Sequence, residues 1–153
     1  MNLLAFLLAA IFSITTNPGE DTRTQMNISW AADATASECF VMLAPERKGW
    51  KDALRAGCKG RYCAVYNNVH SKNAQGENFY EDARFFKYDL YLKDLKPDCR
   101  YMYRVYAVSC DGDTTVSDTY RFRTSGASRW KACIISDFQN YPPLPNRLVA
   151  AMA

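Results

Sequence analysis

The chain holds one histidine, His70, in 153 residues, and no Cys-x2-Cys pair. Zinc sites draw on histidines and closely paired cysteines, so a self-contained zinc module is excluded. Only seven glycines are present, and none forms the phosphate-cradling loop of nucleotide-binding folds. No Ser or Cys stands in a recognisable pattern with a histidine base, which leaves triad-type nucleophilic catalysis without a footing. Lys and Arg number 19 against 16 Asp and Glu, a net charge of +3. They are scattered, so the basic stripe of a nucleic-acid-binding protein is missing. The longest apolar run, residues 1–12, is shorter than the roughly 20 residues that span a bilayer. Repeats and low-complexity segments are absent too.

What is present points to a β protein. Hydrophobic residues make up 48% and charged residues 23% of the chain, ordinary globular values, and 153 residues suit one domain or one domain plus the beginning of another. The aromatic share of 14%, with ten Tyr and eight Phe, favours pleated, half-buried surfaces. The apolar run from Met1 to Phe12 has the length of a secretory signal core. Residues 1–13 are therefore expected to be a leader, with secretion or periplasmic export as the consequence. The competing reading of the same run is a buried N-terminal strand. A short strand at Ile14–Asn17 should follow, ending at the turn Asn17-Pro18-Gly19.

Six cysteines, Cys39, Cys58, Cys63, Cys99, Cys110 and Cys133, form an even set that an exported chain could oxidise. Cys99 and Cys110 bracket one predicted strand and so lie roughly 35 Å apart, far beyond the Cα separation of about 7 Å that a disulfide tolerates. Cys58 and Cys63, flanking Lys59-Gly60, are the most plausible local pair.

Taken in order, Met26, Ile28 and Trp30 alternate with Asn27 and Ser29, the mark of a half-buried strand. Cys39–Leu43 is more continuously apolar and is ended by Pro45. Residues 46–55 read either as an irregular loop or as a short strand carrying Trp50. Arg61–Tyr66 alternates again after the Gly57–Gly60 turn, and a long polar loop with His70 occupies residues 67–78. Phe86, Tyr88, Leu90 and Leu92 then share a face, and Leu95 turns inward. Pro97 fixes φ and removes a donor where the chain must reverse. Tyr101, Tyr103, Val105 and Ala107 line the next strand. After the turn at Asp111-Gly112-Asp113, Val116–Thr124 should place Tyr120 and Phe122 inward and Arg121 and Arg123 in water.

The order Leu95-x-Pro97, Tyr101-x-Tyr103-x-Val105-x-Ala107 resembles the E–F corner and F strand of fibronectin type III domains, and Ile28-Ser29-Trp30 is similar to their B-strand tryptophan motif. The resemblance implies an all-β, fibronectin type III/immunoglobulin-like antiparallel sandwich over residues 14–124. Trp30, Leu95, Pro97, Tyr101, Val105 and Phe122 are its structural residues, and the tyrosine hydroxyl bonds to the corner backbone.

Read together with the Tyr120-x-Phe122-Arg123-Thr124 exit, the chain resembles the N-terminal domain of purple acid phosphatases and related calcineurin-like metallophosphoesterases. In that family the exit strand leads into the catalytic domain. Residues 125–153 would then be a linker and the start of an α/β metallophosphoesterase domain, a strand–helix remnant cut off early. The strand Trp130–Ile135 ends at Asp137, and by resemblance Asp137 is a first metal ligand; its alternative role is a cap on a helix starting near Pro145. Gln139 stands where a histidine ligand would be expected, and the later ligand motifs are missing. The resemblance implies two metal ions, Fe, Zn or Mn, for full-length relatives, none bound by this chain alone, and no catalytic residue here. Implied partners are the relative's own catalytic domain and a phosphorylated substrate, with no nucleic acid and no membrane span.

The expected function is an accessory N-terminal domain of a secreted, metal-dependent, acid phosphatase-like phosphoesterase. The alternative is a free-standing fibronectin-like module for protein or glycan that presents Trp50, Phe79 and Tyr80. A third reading, a fragment whose residues 130–153 have lost their partners, fits the abrupt end.

Overall fold

A computed structural model describes residues 9–33, 35–66, 71–72, 75, 78–79 and 82–127. The strands are β1 (Ile11–Pro18), β2 (Met26–Asp33), β3 (Ala36–Pro45), β4 (Leu54–Gly57), β5 (Arg61–Tyr66), β6 (Ser71–Lys72), β7 (Asn78–Phe79), β8 (Asp82–Leu92), β9 (Arg100–Ser109), β10 (Thr114–Val116) and β11 (Tyr120–Arg123). One sheet runs β1-β2-β8-β5. The other runs β10-β9-β3-β4, with β11 also paired to β9, and β6-β7 is a separate small ribbon. Pairing in all three is antiparallel. The chain is thus the expected all-β, fibronectin-like sandwich.

The period of two in the sequence decides which side chains meet. β2 and β8 pair so that Met26, Ile28 and Trp30 lie opposite Leu92, Leu90 and Tyr88, and all six are buried. From the other sheet, Cys39, Val41 and Leu43 of β3 face Ala107, Val105 and Tyr103 of β9. These two sets interdigitate as the core. Trp30 and Tyr88 stack at 5.1 Å and 3°, an arrangement that adds to the area both rings bury.

The outward face of the second sheet is also covered, though by different means. The Arg55 guanidinium lies 3.9 Å over the Phe40 ring, and Phe40 stacks on Tyr106 at 4.9 Å. Arg55 is also ion-paired with Glu38. Residues Glu46–Asp52 form 3-10 turns kinked at Gly49, where φ is +63°, and Arg104 of β9 sits 4.9 Å over Trp50. Residues 46–55 therefore resolve into these turns plus β4, and Trp50 is half-buried under Arg104 instead of standing free as a ligand platform.

Two strand boundaries differ from expectation. β1 starts at Ile11, and Ala9 is already in the core. Ile11 and Phe12 pair with Ala32 and Ala31 of β2, across an irregularity where Ser13 takes φ +53°. An apolar run looks alike as a leader core and as an edge strand, which is why the sequence boundary at residue 13 cuts through a paired segment. Secondly, the expected single strand at 116–124 is broken. Ser117 donates its N–H to Val105 O, and its Oγ accepts from the Val105 N–H, so one edge of β9 is served by β10 and β11 in turn. Phe122 packs against the core, whereas Tyr120, stacked on Tyr103 at 5.6 Å, remains 37% exposed.

Candidate functional site

At the end of the sandwich where the chain leaves β11, the corner, the exit strand and the β1–β2 connection are cross-connected by hydrogen bonds. Leu95 is buried as the corner, between two aspartates in left-handed conformation, Asp94 at φ +59° and Asp98 at φ +52°. Short polar residues tolerate that region better than most. The Lys96 N–H donates to the Tyr101 hydroxyl at 2.9 Å, and the Tyr101 ring stacks on Phe122 at 5.3 Å. Corner and exit strand thereby share one tyrosine. Burial pushes the Tyr101 phenol up from its ordinary value, against the pull of the Lys96 N–H.

Thr124 completes the junction. It is fully buried although polar, and both its hydroxyl and its N–H have partners. Its Oγ1 donates to Lys96 O at 2.6 Å and accepts from the Cys99 N–H at 3.0 Å. Its N–H donates to Cys99 O. One residue on, the Ser125 N–H reaches Thr22 O, Ser125 O accepts from the Asp98 N–H, and the Ser125 and Thr22 hydroxyls meet at 2.6 Å. The β1–β2 connection joins through Leu95, whose N–H donates to Thr24 O. Whatever follows residue 125 therefore departs from a backbone pinned to two separate loops, the β8–β9 corner and the β1–β2 connection.

Beside this junction lies an open cavity of about 800 Å³, bounded by Pro97 and Cys99 and by the charged side chains of Glu46, Arg47, Lys96 and Arg100. Arg123 and Asp98 pair at its rim, with Arg123 Nε 3.0 Å from the carboxylate, and Arg121 Nε is 2.9 Å from Glu46. These pairs neutralise the two acids, so the surplus charge of the cavity is positive and comes from Arg47, Lys96 and Arg100. Such a surface attracts acidic groups. It offers no nucleophile with an adjacent base.

Each structural residue read from the sequence has a traceable place. Trp30, Leu95, Tyr101 and Val105 are buried, Phe122 packs on the core, and Pro97 lines the charged cavity. Cys58 and Cys63, the local pair expected from the sequence, both carry free thiols in this structure. Cys58 packs towards the core, whereas Cys63 lies opposite Phe85 on β8, one residue out of phase with the inward Phe86, and its thiol donates to its own strand at Arg61 O. Asp137, Gln139, His70 and Tyr80 lie outside the described residues, as does the side chain of Phe79.

Among the described residues no three His, Cys, Asp or Glu side chains converge to hold a metal ion. They do not fit a two-metal centre. No helix among them is long and apolar enough to cross a membrane. The sequence marks Thr124 only as the end of the exit motif and gives no role to Ser125 and Thr22, because their contacts arise only when the exit strand meets two distant loops. The one available signal was a Thr closing an alternating strand next to a Ser.

A family profile described as the purple acid phosphatase N-terminal domain matches residues 11–124. No curated protein matches the chain. Among solved structures, the purple acid phosphatase PPD1 from yellow lupin (Lupinus luteus) seeds is 17% identical with a TM-score of 0.52, over 76% of this chain and 20% of that one. The sensor domain of the anti-sigma factor RsgI4 of Pseudobacteroides cellulosolvens is 16% identical with a TM-score of 0.43, over 74% and 94%. The chain thus spans about a fifth of the length of the lupin phosphatase. The profile match begins at β1 and closes on Thr124, the residue that locks the exit strand to the corner, and by it the chain belongs to the purple acid phosphatase N-terminal domain family.

Proposed function

We infer that this chain is the accessory N-terminal domain of a secreted, metal-dependent phosphoesterase of the acid phosphatase type, and that the sandwich serves as a non-catalytic scaffold for the domain that follows. One observation carries the reading: the backbone at Thr124 and Ser125 is held by the corner, by Cys99 and by Thr22. A freely swinging linker has no use for such a fastening, whereas a domain that must hold its successor in a fixed orientation does. The positive cavity beside the exit then supplies a complementary face for acidic groups of the successor.

In the whole enzyme, Asp137 is the first of the ligands for a two-metal centre of Fe, Zn or Mn, whose chemistry is the activation of water against a phosphomonoester. The sandwich contributes position and stability only. A leader, in this reading, ends before β1 instead of inside it.

The test separates scaffold from catalyst. The 153-residue chain, incubated with p-nitrophenyl phosphate and added iron, zinc or manganese, should release no more nitrophenol than the metals alone. In a protein carrying this module ahead of its phosphoesterase domain, Thr124→Val should lower the temperature at which activity is lost and leave kcat unchanged. Turnover by the short chain, or a fall in kcat with no thermal effect, would overturn the assignment.

A further inference from the structure

β3 and β4 pair in a register that runs from Leu43 opposite Leu54 to Phe40 opposite Gly57. One step further along the same register sets Cys39 opposite Cys58. Both side chains turn inward: Cys39 is a member of the core and Cys58 packs against it. Both line one cavity of about 490 Å³ at the open edge of the sandwich, together with Glu38, Lys59, Gly60 and Tyr88. We propose that Cys39 and Cys58 are a cross-strand dithiol that oxidises to a disulfide, tying β3 to the β4–β5 crossover and closing this edge of the core.

Geometry favours this pair over every other among the described cysteines. Residues directly opposite in an antiparallel ladder have Cα atoms about 4.5–5.5 Å apart, inside the window of about 4.4–6.8 Å in which disulfides form. Cys63 faces the other way. Cys99 and Cys110 stand beyond opposite ends of β9, and the Cys110 thiol is occupied with Thr35 O at the far loop.

The crossover is also built to stay close. A Cβ at Gly60 would lie 2.7 Å from the Tyr88 ring, so only glycine lets residues 58–60 pass over that ring and bring Cys58 to the cavity. Tyr88 lines the same cavity, and the Trp30 indole N–H is buried without an acceptor.

The chemistry is thiol–disulfide exchange, with a small-molecule disulfide such as oxidised glutathione as the oxidant. The half-buried Cys58, as thiolate, attacks one sulfur of the oxidant, forming a mixed disulfide and releasing one glutathione thiolate. Cys39, as thiolate, then attacks the Cys58 sulfur and expels the second. The two protons given up by the protein thiols end on the two glutathiones, so one disulfide is consumed and one is made. Burial pushes both protein thiols up from their ordinary values. Thiolate is accordingly scarce at neutral pH and the exchange speeds up in mild alkali.

The experiment is peptide mapping of the full 153-residue chain, non-reducing and with free thiols alkylated, after equilibration with oxidised glutathione at about pH 8.5, near the ordinary thiol value. The expected result is one cross-link joining the Cys39 and Cys58 peptides, with Cys63 alkylated. The urea midpoint of the oxidised chain should be higher than that of the reduced chain, and this shift should vanish in Cys58→Ala. A Cys58–Cys63 link, a chain in which Cys39 and Cys58 both remain alkylated, or an unchanged urea midpoint on oxidation would overturn the proposal. The mapping uses the native sequence, so its outcome does not depend on a variant folding.

Discussion

Replacing Tyr101 by Phe removes a single oxygen from the corner and leaves the ring in its stack on Phe122, 5.3 Å away and tilted by 20°. The lost partner is the Lys96 N–H, which donates to that oxygen at 2.9 Å. A backbone donor deprived of its acceptor costs about 1–3 kcal/mol when water is shut out. Lys96 itself is exposed, so water can partly substitute and the lower half of that range applies, about 1–2 kcal/mol. Tyr101→Ala also deletes the buried ring and should cost about 3–5 kcal/mol. Urea denaturation followed by tryptophan fluorescence resolves the two. With an m-value of about 1–3 kcal/mol per molar urea, Tyr101→Phe should unfold at visibly lower urea with an unchanged slope. If Tyr101→Phe matched the wild type within about 0.3 kcal/mol, the hydroxyl would have no part in holding the corner. If it were as damaging as Tyr101→Ala, the ring stack would be the part without value.

Thr124→Val keeps the shape of a fully buried side chain while deleting the hydroxyl that serves Lys96 O and the Cys99 N–H; a loss of about 2–3 kcal/mol is expected, with Thr124→Ser recovering most of it in the same denaturation assay. Asp98→Asn breaks the exposed pair with Arg123 yet suits the left-handed backbone, and it should change stability by less than about 0.5 kcal/mol. Asp89 is held below its ordinary value first by the Ser29 hydroxyl and then by Lys87, and Asp33 is lowered because hydrogen bonds from Thr35 and the Ala10 N–H outweigh its burial. As pH falls, protons therefore bind the unfolded chain first. The stabilisation is whole above about pH 4 and disappears as pH drops through the folded-state values; Asp89→Asn should flatten that limb of a stability–pH curve. At the alkaline end, burial pushes Tyr103 up to about 12. The unfolded phenol ionises earlier, so stability should decline once pH rises above about 10, a limb that Tyr103→Phe should reduce.

Where core-facing residues recur at every second position, the sequence spoke clearly. Met26–Ile28–Trp30, Tyr88–Leu90–Leu92 and Tyr101–Tyr103–Val105 each put one residue in two against the opposite sheet, and a period of two has no other reading at that length. The corner was legible for a different reason, since Pro97 and two neighbouring aspartates restrict the backbone locally. Legibility failed where a contact depends on a partner far along the chain. Trp50 could be read as core or as an exposed ligand platform until Arg104 was placed above it. Cys58 and Cys63 looked like neighbours because five positions in sequence is a short distance, and nothing local shows that Cys58 packs against the core while Cys63, on β5, lies opposite Phe85. β1 was shortened because an apolar segment carries no mark that distinguishes export from edge pairing. Thr124 is the sharpest case: its burial requires Lys96 and Cys99 to present their carbonyl and amide at one point, and no pattern within residues 120–124 encodes that. For Asp137 the resemblance names a chemistry, and the residue lies outside the described ones.

The account turns on whether the exit backbone belongs to the rigid body of the sandwich, and native-state hydrogen exchange reads that directly. The amides of Lys96, Asp98, Cys99, Thr124 and Ser125 all donate within the junction. They should exchange only through global unfolding, at the rate of Val105 in the centre of β9 and with the same dependence on urea. If Thr124 and Ser125 instead exchanged through local opening, insensitive to urea and far faster than Val105, the exit would be a loose tether and the scaffold reading would fail.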